Sequence, residues 1–551
     1  MSPDVIARLR EHRLFIVHFA IVVCVLSIGT WAVYLLFDKP ELGIDDARIF
    51  FVYGENIVEG NGIVFNSGGE RVEGFTSPLW LFLVVAAHAL FNRPDIYLLI
   101  FSLLILSAAI SVLWYSEISR KLISWQSAMF LLWIVGAPTY IVWMSLPLMD
   151  ATIWSAILII AAVITIRANS PVLMALCMIP LVLTRPEGII WGLVLLSLFG
   201  IGIGAKRGAA PAWRAIRLPA SVFLFTIVVL IVGRLAYFGY PLPNTYYAKV
   251  SPDAIYNLTQ GIVYLMAFIA SNRLALIVVL WTTLAGLLFN LPKFIRKITS
   301  LSLGVDSTVN VRYMIVSVIA ITGLLVPILS GGDHFRLLRF YQPVWPLLFL
   351  PVLALFTTIK LPNTRSVRYG LTIGFVAMML LGPGVRWDVL ANDAILLEFD
   401  LATKGSILGK QLNEMFQDNL PSVGHPTVGG FAQEYDGEVV DIYGLNNVAI
   451  AHASGNRYGW KNHAAFSTDM FIELQPDLFL PVAGTEKQLL EGTVETIHIP
   501  FVDNIYYDPR FIRLYSLAIV TSSENGIRAF VRRDLIGALL EQGFEVLEID
   551  Y

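Results

Sequence analysis

Residues 14–37 read LFIVHFAIVVCVLSIGTWAVYLLF and contain no Asp, Glu, Lys or Arg. A helix needs about 20 mostly apolar residues to cross a bilayer, so this segment predicts a transmembrane helix. It is too long for a cleavable signal peptide, it lacks a small-residue cleavage site, and many more apolar runs follow it. We therefore expect a permanent first span.

The composition supports a membrane protein throughout. Of 551 residues, 56% are hydrophobic and 14% are charged, whereas soluble proteins are about 45–50% apolar and about 25% charged. These values exclude soluble, fibrous and disordered classes. The net charge of −3, without a basic patch, excludes a nucleic-acid partner. Cys24 and Cys177 form no CxxC motif, so neither a disulfide framework nor a cysteine metal site is expected. The composition therefore predicts a polytopic chain in a lipid bilayer.

Further apolar runs predict about 11 spans, or about 13 if two shorter stretches also cross. The predicted spans are Leu14–Phe37, Ile96–Ile118, Ala128–Trp143, Leu148–Ile166, Val172–Leu183, Ile189–Ile203, Pro219–Phe238, Leu274–Leu288, Met314–Leu329, Val344–Phe356 and Leu371–Leu381. The shorter stretches are Leu79–Phe91 and Ile255–Ala270.

The distribution of Lys and Arg predicts the orientation, because cytoplasmic loops are enriched in these residues. Basic residues precede the first span and fill three later loops, which places all four on the cytoplasmic side. They are Arg8, Arg10 and Arg13; Lys206, Arg207, Arg214 and Arg217; Lys293, Arg296 and Lys297; and Lys360, Arg365 and Arg368. The loop after the first span is acidic and is expected outside. Because the predicted number of spans is odd, the residues after the last span are expected outside as well.

The composition changes near Pro383, where charges, turns and short alternating apolar runs begin. Val439–Tyr443, Leu478–Val482 and Leu514–Val520 have the pattern of strands. We predict a mainly α protein of the cytoplasmic (inner) membrane: residues 1–384 form a helical domain with a catalytic outer loop at 38–78. Residues 385–551 form an extracytoplasmic mixed α/β domain of ordinary size.

The first outer loop carries the densest polar cluster: GIDDAR at 43–48, GNGIVFN at 60–66 and GERVEGFTSP at 69–78. Adjacent carboxylates near a dielectric boundary repel each other and lose hydration, which raises a pKa toward the range of a general base. Asp45 and Asp46 are therefore catalytic candidates. The alternative is that an Asp caps a helix running from Ala47 to Val58. Glu70, Arg71 and Glu73 have the alternative role of a surface ion-pair cluster.

Other polar residues lie at predicted outer ends of spans, where burial in hydrocarbon is costly unless they are used. They are Asp150; Arg185 and Glu187, which could pair; Arg234 to Lys249; and Asp333 to Arg339. Singly, each fits an interfacial belt of aromatic and basic residues. Together, an acid pair, arginines and aromatics on one face favour a site for an anionic, lipid-linked substrate.

A metal or nucleotide site has less support. His334 follows Asp333, but no second His stands at ligand spacing, so a structural role is favoured. No P-loop, GxSxG or dinucleotide-binding GxGxxG stands between a strand and a helix. The sequence thus indicates no required cofactor, although a divalent metal stays possible.

These motifs resemble the polytopic GT-C glycosyltransferases. The Asp-Asp pair after span one, NGIVFN at 61–66 and GERVEGFTSPLW at 69–80 carry the resemblance. It continues at RPEG (185–188), LPNTYYAK (242–249), GGD (331–333) and, less clearly, VVDIYGLN (439–446). Within that superfamily the chain is most similar to mycobacterial-type terminal β-1,2-arabinofuranosyltransferases and to bacterial pilin arabinosyltransferases.

The resemblance implies a polytopic GT-C fold and transfer of a sugar, D-arabinofuranose first, from a polyprenyl-phosphate donor to a cell-wall glycan or pilin outside the membrane. The essential loop carboxylate corresponds to Asp45 or Asp46. Candidates for the donor phosphate are Arg185, Arg234, Lys249, Arg336 and Arg339. Candidates for sugar or acceptor binding are Asn66, Glu70, Arg71, Glu73, Asp150, Glu187, Tyr237, Asn244, Tyr246, Tyr247, Asp333 and His334. Asp150 stands in LMD where relatives often carry Gly-Leu-Glu.

Three alternatives stay open. The same fold could use another lipid-linked sugar, such as mannose or aminoarabinose. A transporter or flippase would instead show inverted repeats and polar residues deep within its spans. A carbohydrate-binding scaffold would place its function in the isolated C-terminal domain.

Overall fold

The computed structural model describes residues 3–299, 310–358, 370, 373–375, 377–379, 390, 393–455, 457–458, 465–480, 502, 505–522 and 525–549. Its described helices in chain order are α1 Pro3–Leu36, α2 Asp45–Val58, α3 Pro78–Leu90, α4 Pro94–Leu113, α5 Trp125–Val135, α6 Pro138–Trp143, α7 Ala151–Arg167, α8 Pro171–Thr184, α9 Gly188–Arg207, α10 Ala209–Phe238, α11 Asn244–Lys249, α12 Ala254–Ser271, α13 Arg273–Thr299, α14 Val311–Leu329, α15 Trp345–Thr358, α16 Leu396–Phe416, α17 Val428–Glu434, α18 Val448–His452, α19 Thr468–Leu474, α20 Pro509–Leu514 and α21 Arg533–Glu541.

Eight helices within the described ranges are long and apolar enough to cross a membrane. They are Glu11–Leu36, Pro94–Ile118, Gly188–Arg207, Ala209–Phe238, Ala254–Ser271, Arg273–Leu291, Val311–Leu329 and Arg339–Thr358. The second continues α4 through a π-helical turn, Trp114–Ile118, and the last begins with a 3-10 turn, Arg339–Val344. Four more apolar helices, α3, α5, α7 and α8, are shorter.

The predicted polytopic helical fold is confirmed, and several predicted spans differ in length. Ala128–Trp143 is divided into α5 and α6, because Pro138 keeps Ala137 out of the helical conformation (φ −112°, ψ 81°). Ala254–Ser271, one of the two short stretches, reaches a spanning length. Most of Leu371–Leu381, the basic loop from Lys360 and the boundary at 384/385 lie outside the described residues.

The chain forms two compact units. The first, here called the helical unit, comprises Met1–Lys39, Leu98–Leu230 and Ile255–Asp393. The second, the mixed unit, comprises Pro40–Tyr97, Ile231–Ala254 and Ala394–Tyr551. The first outer loop therefore folds with the C-terminal residues, although more than three hundred residues of sequence separate them.

Within the helical unit, aromatic residues of α5 and α15 pack against each other. The rings of Trp133 and Trp345 stack with centroids 4.3 Å apart. Each indole N–H donates to the backbone carbonyl of the other residue, at 2.8 and 2.9 Å. Large apolar rings with satisfied N–H groups combine extensive burial with fixed geometry.

The mixed unit contains a sheet of six strands: β1 Val423–His425, β2 Val439–Asp441, β3 Leu478–Phe479, β4 Tyr515–Thr521, β5 Gly526–Arg532 and β6 Glu545–Glu548. Their order is β2-β1-β3-β5-β4-β6, with β1 parallel to β2 and β3 and the other pairs antiparallel. This mixed α/β part confirms the predicted fold class. Of the three predicted strand segments, two contain β2 and nearly all of β4. The third begins with β3, and its residues 481–482 lie outside the described residues.

Candidate active site

Asp45 is the first residue of α2, and its carboxylate binds the start of another helix. The Gly430 and Gly429 N–H groups donate to its two oxygens at 2.9 and 3.2 Å, where α17 begins. A Cβ on Gly429 would lie 1.9 Å from the Asp45 carbonyl oxygen, so this contact requires glycine. Ile44 is the N-cap of α2 and no side chain caps that helix, so the predicted Asp cap on a helix from Ala47 is wrong.

The Asp45 carboxyl is buried without a cation. Only 7% of the residue is exposed, and no Lys, Arg or His among the described residues forms an ion pair with it. Burial raises the pKa of Asp45 to about 6, against the effect of the two glycine N–H donors, and the charges of Asp46 and Asp441 raise it further. A charged group taken from water without a counter-ion shifts toward its neutral form.

Asp46 has a different environment, because its side chain is 21% exposed and lies 3.7 Å from the Lys249 ammonium. Lys249 ends α11 and is equally exposed. The adjacent aspartates thus separate into a buried carboxyl that binds backbone and a partly exposed one beside a cation. Of the two, Asp46 is the more exposed.

A second group of predicted site residues fixes the loop internally. Arg234 donates to both oxygens of Glu73, at 2.8–3.1 Å, and both side chains are nearly buried. The Asn244 backbone N–H donates to the Glu73 carbonyl, and its side-chain amide donates to the Gly444 and Leu445 carbonyls at 2.8 and 3.0 Å. Glu73, Arg234 and Asn244 therefore hold the loop in shape.

Two more predicted binding residues join the loop to distant backbone. The Asn66 side chain accepts from the Val439 N–H and donates to its carbonyl, both at 2.9 Å, as a paired strand would. Glu70 accepts from the Val448 N–H at 2.9 Å. Arg71 lies over the Tyr237 ring, 4.8 Å from its centre. Glu70, Arg71 and Glu73 each have a partner elsewhere, so the predicted surface ion-pair cluster is wrong.

Several residues that sequence reasoning missed complete this arrangement. Asp441 accepts from the Asn446 backbone and side chain and from the Tyr443 N–H, each at 2.9 Å. Burial raises the pKa of Asp441 to about 6. The Tyr53 hydroxyl lies 3.1 Å from the Asn446 side-chain oxygen. A Cβ on Gly74 would lie 1.8 Å from that oxygen, so the glycine in VEGF is the sequence signal for this contact.

An aromatic cluster lies at the end of α11. The His452 ring lies 4.1 Å from Tyr247 and 4.2 Å from Tyr240, and Tyr246 meets Tyr247 edge-on at 5.6 Å. Tyr246 and His452 are exposed. Tyr246 and Tyr247 were predicted to contact sugar, whereas His452 has no recognisable pattern in the sequence.

The helical unit contains the remaining predicted residues, and all of them except Arg336 belong to a network of charges. Arg185 lies between α8 and α9 and donates to both oxygens of Asp150, at 3.0 and 3.1 Å, and to Glu187 at 3.3 Å. The pairing of Arg185 with Glu187 that the sequence allowed is therefore present. Asp333 accepts from Arg339 at 2.7 Å, and the His334 ring lies 3.4 Å from the same carboxyl group.

The network is fully packed. Arg185 and Arg339 lie 4.8 and 5.2 Å from the Phe340 ring centre. The cavity beside them holds about 20 Å³, room for roughly one water molecule. Arg336 differs, because its side chain is exposed and forms no ion pair with any residue that the structure describes. Among the predicted phosphate ligands of this unit, Arg336 is the accessible one.

Metal ligation has no geometric candidate within the described part of the chain, where no three His, Cys, Asp or Glu side chains are grouped to hold an ion. That no cofactor is required, with a divalent metal allowed, stays a prediction.

By sequence, the chain matches no described protein family and no curated protein. By structure it is similar to ArnT from Cupriavidus metallidurans, solved with bound undecaprenyl phosphate: TM-score 0.46, 12% identity, 76% of this chain and 86% of that one covered. It is also similar to the archaeal oligosaccharyltransferase AglB from Archaeoglobus fulgidus, solved with an inhibitory peptide and dolichol phosphate: TM-score 0.46, 10% identity, 96% and 76% covered. Neither alignment assigns a role to a residue here.

Proposed function

We propose that the protein is a membrane glycosyltransferase of the GT-C type. It transfers a sugar, first D-arabinofuranose, from a polyprenyl-phosphate donor to a cell-wall glycan or pilin on the outer face of the cytoplasmic membrane. The observation that carries the proposal is that two adjacent aspartates at the start of α2 have different environments. The Asp45 carboxylate accepts two backbone N–H groups, and the Asp46 carboxylate is partly exposed and lies 3.7 Å from Lys249.

In the proposed reaction, Asp46 is the general base. An acceptor hydroxyl attacks the anomeric carbon of the donor, its proton passes to the Asp46 carboxylate, and the bond between that carbon and the phosphate oxygen breaks. The electron pair leaves with polyprenyl phosphate. The Lys249 ammonium lies 3.7 Å from the Asp46 carboxylate, and opposite charges at this distance attract each other. Asp45 positions α2 through Gly429 and Gly430.

The phosphate needs a cation as negative charge develops on it. Within the mixed unit we assign this role to Lys249, because its side chain is 21% exposed, whereas Arg234 is almost buried in its pair with Glu73. Tyr246 and Tyr247 supply aromatic faces on which a sugar ring can stack.

The test supplies purified protein with one lipid-linked sugar at a time (arabinofuranose, mannose or aminoarabinose) and measures release of polyprenyl phosphate and labelled product. Arabinofuranose is expected to be transferred. Transfer of only another sugar would correct the donor, and absence of both transfer and donor hydrolysis would contradict the function.

The variant Asp46→Asn is expected to lose about a thousandfold in turnover, within the range that a positioned general base contributes, with an unchanged melting temperature. The matched control is Glu59→Gln, which removes the same charge at the exposed end of α2. Full activity in Asp46→Asn would remove the base assignment.

A further inference from the structure

A cleft in the mixed unit lies outside the residues assigned to the reaction. It holds about 520 Å³, within the range of small-molecule sites. Arg48 and Glu55 of α2, Gln433 of α17 and the segment from Phe91 to Asp95 line it. Arg48 donates to Gln433 at 2.8 Å. Because Arg48 follows Asp45 by about one helical turn, the cleft lies along α2 and α17, the two helices that the Asp45 carboxylate joins.

The charges of the cleft are almost balanced. Arg48 pairs with Glu41 at 3.3 Å and Arg93 with Asp95 at 2.8 Å. Both guanidinium groups therefore already have carboxylate partners, which disfavours a phosphate or another anionic ligand. Glu55 remains without an arginine or lysine partner among the residues that the structure describes.

Glu55 is held only loosely. The Gln433 amide reaches it at 3.4 Å, and the His88 ring nitrogen lies 3.7 Å away, beyond hydrogen-bond distance. Its side chain is 38% exposed. Burial raises the pKa of Glu55 to about 7, against the lowering effect of Gln433. Near neutral pH this carboxyl therefore both donates and accepts hydrogen bonds.

The rest of the cleft offers complementary chemistry for hydroxyl groups. The amides of Gln433 and Asn92 donate and accept. Phe91 is 38% exposed as a residue, and its ring is stacked on Tyr97 with centroids 3.6 Å apart. A partly exposed, fixed aromatic ring beside uncharged donors and acceptors suits a sugar, which presents C–H groups to the ring and hydroxyls at its edge.

We propose that this cleft binds a neutral saccharide, a segment of the acceptor glycan. Its identity as acceptor rests on the proposed function, whereas binding itself does not require turnover. The cleft holds the glycan beside the α2–α17 pair and leaves the chemistry to Asp46.

The test titrates full-length protein in detergent, without donor, with a soluble neutral arabino-oligosaccharide and separately with an amino-sugar oligomer. The neutral sugar is expected to bind, and Glu55→Ala is expected to weaken its binding about tenfold, the effect of about one lost hydrogen bond. Asn92→Trp, at an exposed loop position, fills the cleft without disturbing the core and should weaken binding equally. Glu473→Gln, which removes a carboxylate at an exposed position of α19, is the control with unchanged affinity.

Affinity within about twofold of wild type in both cleft variants, no binding of the neutral sugar, or tighter binding of the amino sugar would overturn the proposal. A failure of the proposed function gives a different result. If the protein binds the saccharide but transfers no sugar, the cleft assignment stands and the proposed glycosyltransferase activity is wrong. If the protein transfers sugar but both cleft variants bind the saccharide with normal affinity, only the assignment of the cleft is wrong.

Discussion

Asp150 in the helical unit and Asp45 in the mixed unit are both almost completely buried, but only Asp150 has a cation as its partner. Asp150 faces Arg185 in a two-pronged ion pair at 3.0 and 3.1 Å. Asp45 meets only the N–H groups of Gly429 and Gly430. A buried pair is costly to desolvate but strongly destabilising to break, whereas an unpaired buried carboxyl responds by shifting its pKa. The first arrangement fixes helices, and the second leaves a group that titrates near neutral pH.

The largest expected effect comes from breaking the ion pair in the helical unit. Asp150→Ala removes the carboxylate nearest to the buried Arg185 guanidinium, and we expect a loss of about 4 kcal/mol in the free energy of unfolding. Thermal unfolding in detergent measures it. The double variant Asp150→Ala with Arg185→Met should recover part of the lost stability, because it also removes the buried guanidinium charge that Asp150 neutralises. A melting temperature unchanged in Asp150→Ala would show that the pair is not structural.

The same comparison explains what the sequence could predict. Apolar runs and Lys/Arg bias act locally, so most helices fall near their predicted positions. Arg185 and Glu187 are two residues apart, so their pairing was also accessible. Asp45 and Gly429 are 384 residues apart, and Asn66 and Val439 are 373 apart. No local pattern predicts such contacts, which is why residues expected to bind substrate, such as Asn66, Glu73 and Asn244, instead hold the loop together.

Two local signals were nevertheless present. Pro138 predicts a break within Ala128–Trp143, because a proline disfavours helix in the residue before it. The Gly429-Gly430 pair marks a place where another backbone can approach closely. The sequence could not indicate that the approaching group is a carboxylate.

An intermediate effect is expected from titrating Asp45. Its pKa is raised from 3.8 to about 6 in the folded protein, so the native state binds more protons than the unfolded chain between these values. Stability from this group is therefore complete below pH 4 and decreases as the pH rises to 6, by about 3 kcal/mol at most. Asp45→Asn should remove this dependence, and at pH 8 it should cost far less than Asp150→Asn. Parallel pH profiles of unfolding for wild type and both Asn variants would contradict the assignment.

The smallest expected effect tests the glycine that lets Asp45 reach its donors. Gly429→Ala places a methyl group 1.9 Å from the Asp45 carbonyl oxygen, so α2 and α17 must separate, at about 2 kcal/mol. Gly537→Ala in α21 is the matched control, because a Cβ there meets no atom within 4 Å and should stabilise the helix by about 0.5–1 kcal/mol. Separation also lengthens the N–H contacts that oppose the raised pKa of Asp45. The pH at which stability falls should therefore move upward in Gly429→Ala and stay fixed in Gly537→Ala, which distinguishes loss of this contact from a general loss of packing.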